Sequence, residues 1–274
     1  MNKTYTLING TFVPAEEASI RISDLSIQRA YGIFDFFKTV GGQPVFIDDH
    51  LDRFYHSAEL MRLPVRQGRQ EMKEMLNSLI QKNNLTDSGI RMTLTGGYSP
   101  DGYHIADPNL IITQQGFQIN NVIPANGISL ITHDYQRQFS EAKTLDYLKA
   151  VWLQPLIREQ KADDVLYHDK GYLRECPRAN IFIVTADDRV LSPGSEILQG
   201  ITRKHVLELS ADRYPTSETD ISLEDVRQAK EAFITSTTKN ILPVVQIDGK
   251  MLGDGKPGKV TLSLAREYNR IVYG

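Results

Sequence analysis

Apolar and polar positions alternate at the start of this chain and fall into a longer, helical period further along. Tyr5–Ile8 and Thr11–Val13, split by Asn9-Gly10, predict a hairpin, because Asn-Gly supplies the positive φ angles of a two-residue turn. Phe34–Val40 and Val45–Phe46 flank Gly41-Gly42 and predict a second hairpin. Over Asp48–Met61 the spacing becomes helical: Leu51, Phe54, Ala58 and Met61 share a face, with acidic residues at the start. Arg69–Lys82 repeats that pattern through Met72, Met75, Leu76, Leu79 and Ile80. Ile90–Thr95 and Leu110–Gln114 read as strands joined by a glycine-rich loop around Gly96–Tyr103. Strands with two helices make the first half α+β.

Phe117–Asn126 is the candidate linker, giving an N-terminal α+β domain over 1–117, a linker over 118–126 and a C-terminal α/β domain over 127–274. Beyond it, Ser129–Asp134 predicts a strand and Asp146–Lys161 a helix that buries Leu148, Val151, Trp152 and Leu156. Strands follow at Val165–His168, Asn180–Thr185, Val190–Leu191 and Ala232–Ser236, with helices at Thr202–Ala211, Leu223–Ala229 and Lys259–Tyr273. Gln246-Ile-Asp-Gly249 starts a late hairpin.

Composition narrows the class. At 274 residues and net charge −3, the chain is long enough for an ample core and too balanced for a nucleic-acid surface or a polybasic membrane anchor. No segment approaches the roughly 18–20 apolar residues that cross a bilayer, and the N-terminus lacks a signal-peptide core. A single cysteine, Cys176, fits a reducing compartment, so a cytoplasmic protein is expected. The six histidines and Cys176 show no metal-ligand or nucleophile spacing, and no metal is expected.

Lys143 carries the most chemical information. An isolated lysine is most often a solvated surface group. This one precedes a turn, Arg174-Glu175-Cys-Pro-Arg-Ala-Asn180, that leads into the apolar strand Ile181-Phe-Ile-Val. A lysine amine can form a Schiff base with a pyridine aldehyde, and a carboxylate such as Glu175 can hold the pyridine nitrogen protonated. Gly200-Ile201-Thr202 opens a helix whose N–H groups and hydroxyl can seat a phosphate, although many such starts are simple N-caps. Thr235-Ser236-Thr237-Thr238 ends a strand in four hydroxyl residues, either an ordinary polar strand end or further phosphate donors. Arg53, on a helix, is either solvated or the charged partner of that phosphate.

Together these segments resemble the class IV, fold-type IV aminotransferases that use pyridoxal 5'-phosphate (PLP): D-amino acid aminotransferase, branched-chain aminotransferase and aminodeoxychorismate lyase. The resemblance runs from Ile8-Asn9-Gly10 through Asp48-Asp-His-Leu-Asp-Arg53, Lys143-Thr-Leu-Asp-Tyr147, Glu175…Asn180 and Gly200-Ile-Thr202-Arg to Thr235-Ser-Thr-Thr238 and Ile247-Asp-Gly249. It implies a two-domain, D-amino acid aminotransferase-like fold-type IV architecture with α+β and α/β halves. It further implies PLP on Lys143, with Glu175 at the ring nitrogen and Tyr147 against the cofactor's 3-oxygen. Arg53, Ile201, Thr202, Thr237 and Thr238 would form the phosphate cup. The same resemblance implies a homodimer whose sites are completed by the partner subunit.

The substrate end departs from familiar relatives. Bacterial D-amino acid aminotransferases carry an Arg-X-His for the substrate carboxylate where this chain has Asp101-Gly102-Tyr103, and Asp101 has the wrong charge. A dicarboxylate such as 2-oxoglutarate still needs cations. Arg29, Arg91 and Arg178 align with the substrate-binding region, along with Phe34 in the altered segment Arg29-Ala-Tyr31-Gly-Ile-Phe34-Asp35. Each arginine could instead form a surface or interface salt bridge. The expectation is a D-amino acid aminotransferase interconverting D-alanine and 2-oxoglutarate with pyruvate and D-glutamate. A branched-chain L-amino acid aminotransferase and aminodeoxychorismate lyase, which forms 4-aminobenzoate and pyruvate, are the alternatives.

Overall fold

The computed structural model describes residues 3–119 and 121–274. Asn120, within the expected linker, lies outside the described residues. Two compact units divide the chain: Met1–Ile119 with Ala142–Asp146, and Asn120–Glu141 with Tyr147–Gly274. Ala142–Asp146, inside the expected 127–274 domain, therefore counts with the first unit. Backbone bonds tie it there: Phe34 N–H donates to the Lys143 carbonyl at 2.9 Å and Leu145 N–H to the Gly32 carbonyl at 3.0 Å.

In the first unit, β1 (Tyr5–Ile8) and β2 (Thr11–Pro14) form the expected hairpin, with Asn9 at φ 49° and Gly10 at φ 82°. Then comes α1 (Leu25–Arg29), a five-residue helix too short for periodicity to predict. Its cap, Asp24, accepts the Ser26 N–H at 2.8 Å and, through its other oxygen, bonds from Thr95 and Asn109, both at 2.8 Å. Next are β3 (Gly32–Val40), β4 (Gln43–Pro44), α2 (Ile47–Leu60), α3 (Arg69–Asn83), β5 (Ser88–Thr95) and β6 (Leu110–Gly116). The second hairpin closes earlier than expected, on Gln43–Pro44 rather than Val45–Phe46. Phe46 instead takes a left-handed φ of 53° and starts α2.

The antiparallel sheet runs β2-β1-β6-β5-β3-β4. Leu51, Phe54, Ala58 and Met61 of the α2 segment, with Met72, Leu76 and Leu79 of α3, bury against Ile33, Phe37, Ile90 and Ile112 of the sheet. Each such side chain contributes about 1.5–3 kcal/mol by leaving water. Because strand side chains alternate, β3 turns Ile33, Asp35 and Phe37 toward the helices and Phe34, Phe36 and Lys38 the other way.

The second unit contains β7 (Ile128–Asp134), α4 (Leu148–Trp152), α5 (Gln154–Glu159), β8 (Asp164–Asp169), β9 (Tyr172–Leu173), β10 (Glu175–Cys176), β11 (Ala179–Val184) and β12 (Val190–Ser192). It continues with α6 (Ile201–Ala211), β13 (Thr216–Glu218), α7 (Leu223–Gln228), β14 (Glu231–Ser236), β15 (Asn240–Ile247), β16 (Lys250–Met251) and α8 (Lys259–Tyr273). The main path of its mixed ten-stranded sheet is β13-β12-β11-β14-β15-β7-β8-β9, with β10 on β11 and β16 on β15. Ile181, Ile183, Ala232, Ile234, Leu242 and Val244 form one core face with Ile221 and Val226. Phe182 and Phe233 stack at 4.8 Å on the opposite face. There Glu231 accepts the Thr261 N–H at 2.8 Å and so caps α8 from a neighbouring strand.

The helix expected over Asp146–Lys161 is instead two short helices, α4 and α5. Pro155 has no N–H to continue the ladder and sits at the start of α5, where proline is tolerated. The break re-aims the buried side: Leu153 and Ile157 pack with Val165 and Tyr167. Three of the residues expected to be buried are exposed, Leu148 by 79%, Val151 by 68% and Trp152 by 65%.

Candidate active site

Three predicted residues meet on the side of the first unit's sheet away from its helices. The Phe34 ring has the Arg91 guanidinium carbon 3.7 Å from its centroid and the Lys143 Nζ at 4.7 Å. Arg91 is aimed from β5, where Nε donates to Thr93 Oγ1 at 3.3 Å. Lys143 is half-buried, and its backbone N–H donates to Ser57 Oγ of α2 at 3.1 Å. Two cations on one aromatic ring gain from its negative faces.

Arg53 belongs to the other side of β3. Its Nε donates to Asp35 Oδ2 at 2.8 Å and its Nη2 to Oδ1 at 2.9 Å, while His50 Nδ1 meets Oδ1 at 2.7 Å. Burial alone would raise the Asp35 carboxyl, but Arg53 and His50 outweigh it and hold it well below the usual carboxylate range. Burial pushes the His50 imidazole down against the pull of Asp35, and Arg53 and Lys143 push it further, which leaves a neutral ring donating from Nδ1. Asp35 and His50, which sequence reading did not single out, fix the Arg53 head. Arg29 does not join this group. It is exposed at the end of α1, its Nη1 donating to the Gln28 carbonyl at 2.8 Å.

In the second unit the central group is Glu175, buried at 5% exposure. One oxygen accepts from Arg137 Nε at 2.8 Å; the other accepts the Leu198 N–H at 3.1 Å and lies 3.4 Å from Asn180 Nδ2. Burial lowers the Arg137 guanidinium, and Glu175 with Tyr147 and Tyr135 outweighs that and raises it. Arg137 has no local signature, since it lies in an irregular segment after β7.

Helix α6 starts beside this carboxylate. Gly200 is its N-cap and makes no side-chain cap bond, with Ile201 and Thr202 in the first turn. A Cβ on Gly200 would lie 2.0 Å from Asn180 Oδ1, so only glycine permits this approach. Arg203 fastens the first turn: Nε donates to Ser192 Oγ at 3.0 Å and Nη2 to the Pro193 carbonyl at 2.7 Å. Tyr268 donates to Thr202 Oγ1 at 3.3 Å. Thr237, half-buried, and Thr238, exposed, form the turn between β14 and β15, and Thr235 lies buried just before it. Tyr147 caps α4, and Arg178 is exposed in the turn between β10 and β11.

The second unit offers a charge-balanced carboxylate acceptor and a helix N-terminus with hydroxyls, chemistry that fits a pyridine ring bearing a phosphate. The first unit offers a lysine amine, chemistry that fits an aldehyde. The family model described as amino-transferase class IV matches residues 32–247. The chain belongs to the class IV aminotransferases. It is thus a PLP-dependent enzyme, a transferase acting on amino acids and 2-oxo acids. D-alanine aminotransferase of Listeria monocytogenes is 27% identical over 273 residues, covering 96% of this chain and 94% of the relative. Among solved structures, the T.th. branched-chain amino acid aminotransferase with pyridoxamine 5'-phosphate matches with TM-score 0.91 and 23% identity, over 99% of this chain and 95% of that one. The Escherichia coli branched-chain aminotransferase matches with TM-score 0.88 and 25% identity, over 100% and 95%. Mixed α/β content with two sheets is the fold-type IV arrangement. Among the described residues, no helix is long and apolar enough to cross a membrane.

Proposed function

We propose that this aminotransferase moves the amino group of a D-amino acid, D-alanine or D-glutamate, to a 2-oxo acid such as 2-oxoglutarate or pyruvate. The observation that carries substrate choice is the Phe34 ring holding the Arg91 guanidinium and the Lys143 amine on one sheet face. A guanidinium there recognises a carboxylate bidentately and suits dicarboxylates better than aliphatic side chains. The full-length similarity to D-alanine aminotransferase supports the D reading.

Lys143 would hold the cofactor through its aldehyde, and its Nζ would take the proton from the substrate Cα. Glu175 would accept from the protonated ring nitrogen, with Arg137 balancing its charge. Thr202 and the α6 N-terminus at Ile201, together with Thr237, Thr238 and Arg53, would hold the phosphate. Tyr147 would meet the cofactor's 3-oxygen. When bound, PLP supplies an electron-poor ring that takes up the electron pair left on the substrate Cα.

The enzyme is a cytoplasmic homodimer in this reading. The exposed Ile22, Ile27 and Tyr103 of the first unit, and Leu148, Val151 and Trp152 of the second, offer apolar surface for a second copy to cover. Arg29, exposed at the end of α1, and Arg178 are the remaining substrate arginines.

Likeness to the Escherichia coli branched-chain enzyme favours a second reading, an L-branched-chain aminotransferase. A paired assay with 2-oxoglutarate separates the two. D-alanine should outperform L-leucine; preference for L-leucine overturns the D assignment. Arg91→Ala should raise the KM for 2-oxoglutarate about 10- to 100-fold, the loss of one charged hydrogen-bonded contact, with the cofactor spectrum unchanged. Lys143→Ala should abolish both the visible absorbance band and turnover.

A further inference from the structure

A carboxylate has about four acceptor sites on its two oxygens, and most of those on Glu175 already face protein donors. Arg137 Nε donates to Oε1 at 2.8 Å, the Leu198 N–H donates to Oε2 at 3.1 Å, and Asn180 Nδ2 lies 3.4 Å from Oε2. The guanidinium is the charged member of this set, and it is held in place from both sides. Its Nη2 donates to the Ser140 carbonyl at 2.5 Å. Beside it, Gln136 accepts from Arg174 Nε at 2.7 Å and donates to the Glu196 carbonyl at 2.9 Å.

Arg203 and Cys176 also feel the Glu175 charge, but neither is available to it. Arg203 is committed to Ser192, Pro193 and Glu218, and burial pushes the Cys176 thiol up, which leaves it neutral. Arg137 therefore decides how much negative charge Glu175 can offer to a further donor. A second cation arriving at the same carboxylate meets a weaker acceptor and a like charge.

We propose that Arg137 is a positioning residue that restrains Glu175: it competes with the cofactor's ring nitrogen for one carboxylate and so lowers the proton affinity of that nitrogen. This rests on the assignment of Glu175 to the ring nitrogen of PLP made above. A less tightly held ring proton moderates how strongly the ring draws the electron pair from the substrate Cα. The arrangement predicts a sign that a purely structural ion pair does not. In the apoprotein, Arg137→Gln leaves a buried carboxylate unpaired and lowers the melting temperature. In the holoenzyme, the protonated ring nitrogen takes over as countercharge.

Arg137→Gln and Arg137→Lys test this. Each apoprotein is titrated with PLP, with binding followed by the visible absorbance band, and the ring nitrogen of isotope-labelled PLP is observed by NMR in each holoenzyme at one pH. Arg137→Gln should bind PLP about three- to tenfold tighter than the parent, the equivalent of about half to one pKa unit, and its ring-nitrogen resonance should move toward the protonated position. Arg137→Lys, which keeps the charge, should stay within about twofold of the parent's affinity and near its resonance. Equal or weaker binding in Arg137→Gln, or an unmoved resonance, overturns the proposal. Gln136→Ala removes the brace beside Arg137 and keeps both charges; it should move the resonance the same way by less, and an unmoved resonance there overturns the proposal if Arg137→Gln does not fold. Glu175→Gln separates the two assignments. A resonance unmoved in Glu175→Gln overturns the Glu175 assignment and this proposal with it, whereas one that moves in Glu175→Gln but not in Arg137→Gln overturns this proposal alone.

Discussion

Arg137 and Glu175 stand 38 residues apart in the chain and 2.8 Å apart in space, and the guanidinium is the countercharge of a buried carboxylate. Replacing Arg137 by Leu strands that carboxylate without a partner. Such a change should destabilise the protein by about 3–5 kcal/mol in urea unfolding. The double variant Arg137→Leu/Glu175→Leu should recover much of that stability, because the penalty lies in the unpaired charge; no recovery would show that Arg137 acts elsewhere.

Asp35 gives a pH signature. Its folded-state pKa is depressed, so its stabilising contribution is fully present above about pH 4, the unfolded value, and is lost as pH falls through the folded one. Below about pH 6.5, His50 acts in the same direction, since burial disfavours its charged form. Asp35→Asn should cost about 3 kcal/mol at pH 7 and flatten the decline of stability below pH 4. Denaturant midpoints measured across pH 3–7 check both; an equally steep decline in the variant would remove Asp35 as its source.

Gly200→Ala introduces a Cβ 2.0 Å from Asn180 Oδ1. The start of α6 or the Asn180 side chain must move, at a cost of about 1–3 kcal/mol. PLP affinity should fall with it, because the displaced N–H groups are those assigned to the phosphate. Calorimetry with and without PLP should show a larger loss in the holoenzyme, whereas equal losses would make the glycine a packing requirement only.

Much of this architecture was legible locally. The α2 and α3 faces and the Asn9-Gly10 hairpin follow from short-range periodicity and turn chemistry, which the tertiary fold did not override. The failure at Asp146–Lys161 has a local cause that periodicity ignores: Pro155 divides the helix, and the buried side becomes Leu153 and Ile157. α1 was missed because five residues carry too little periodicity, although Asp24 had the chemistry of a cap.

The sequence by itself determined the family and the cofactor it uses. A lysine, a turn glutamate and glycine- and hydroxyl-rich starts are chemical signatures written within a few neighbouring residues. Only tertiary structure decided their company: Arg137 on Glu175, Asp35 and His50 on Arg53, and Phe34 beside Arg91 and Lys143. Strand pairing and helix docking bring these partners together from distant positions. Charge balance in a buried site is set by such neighbours in space, which no spacing along the chain encodes.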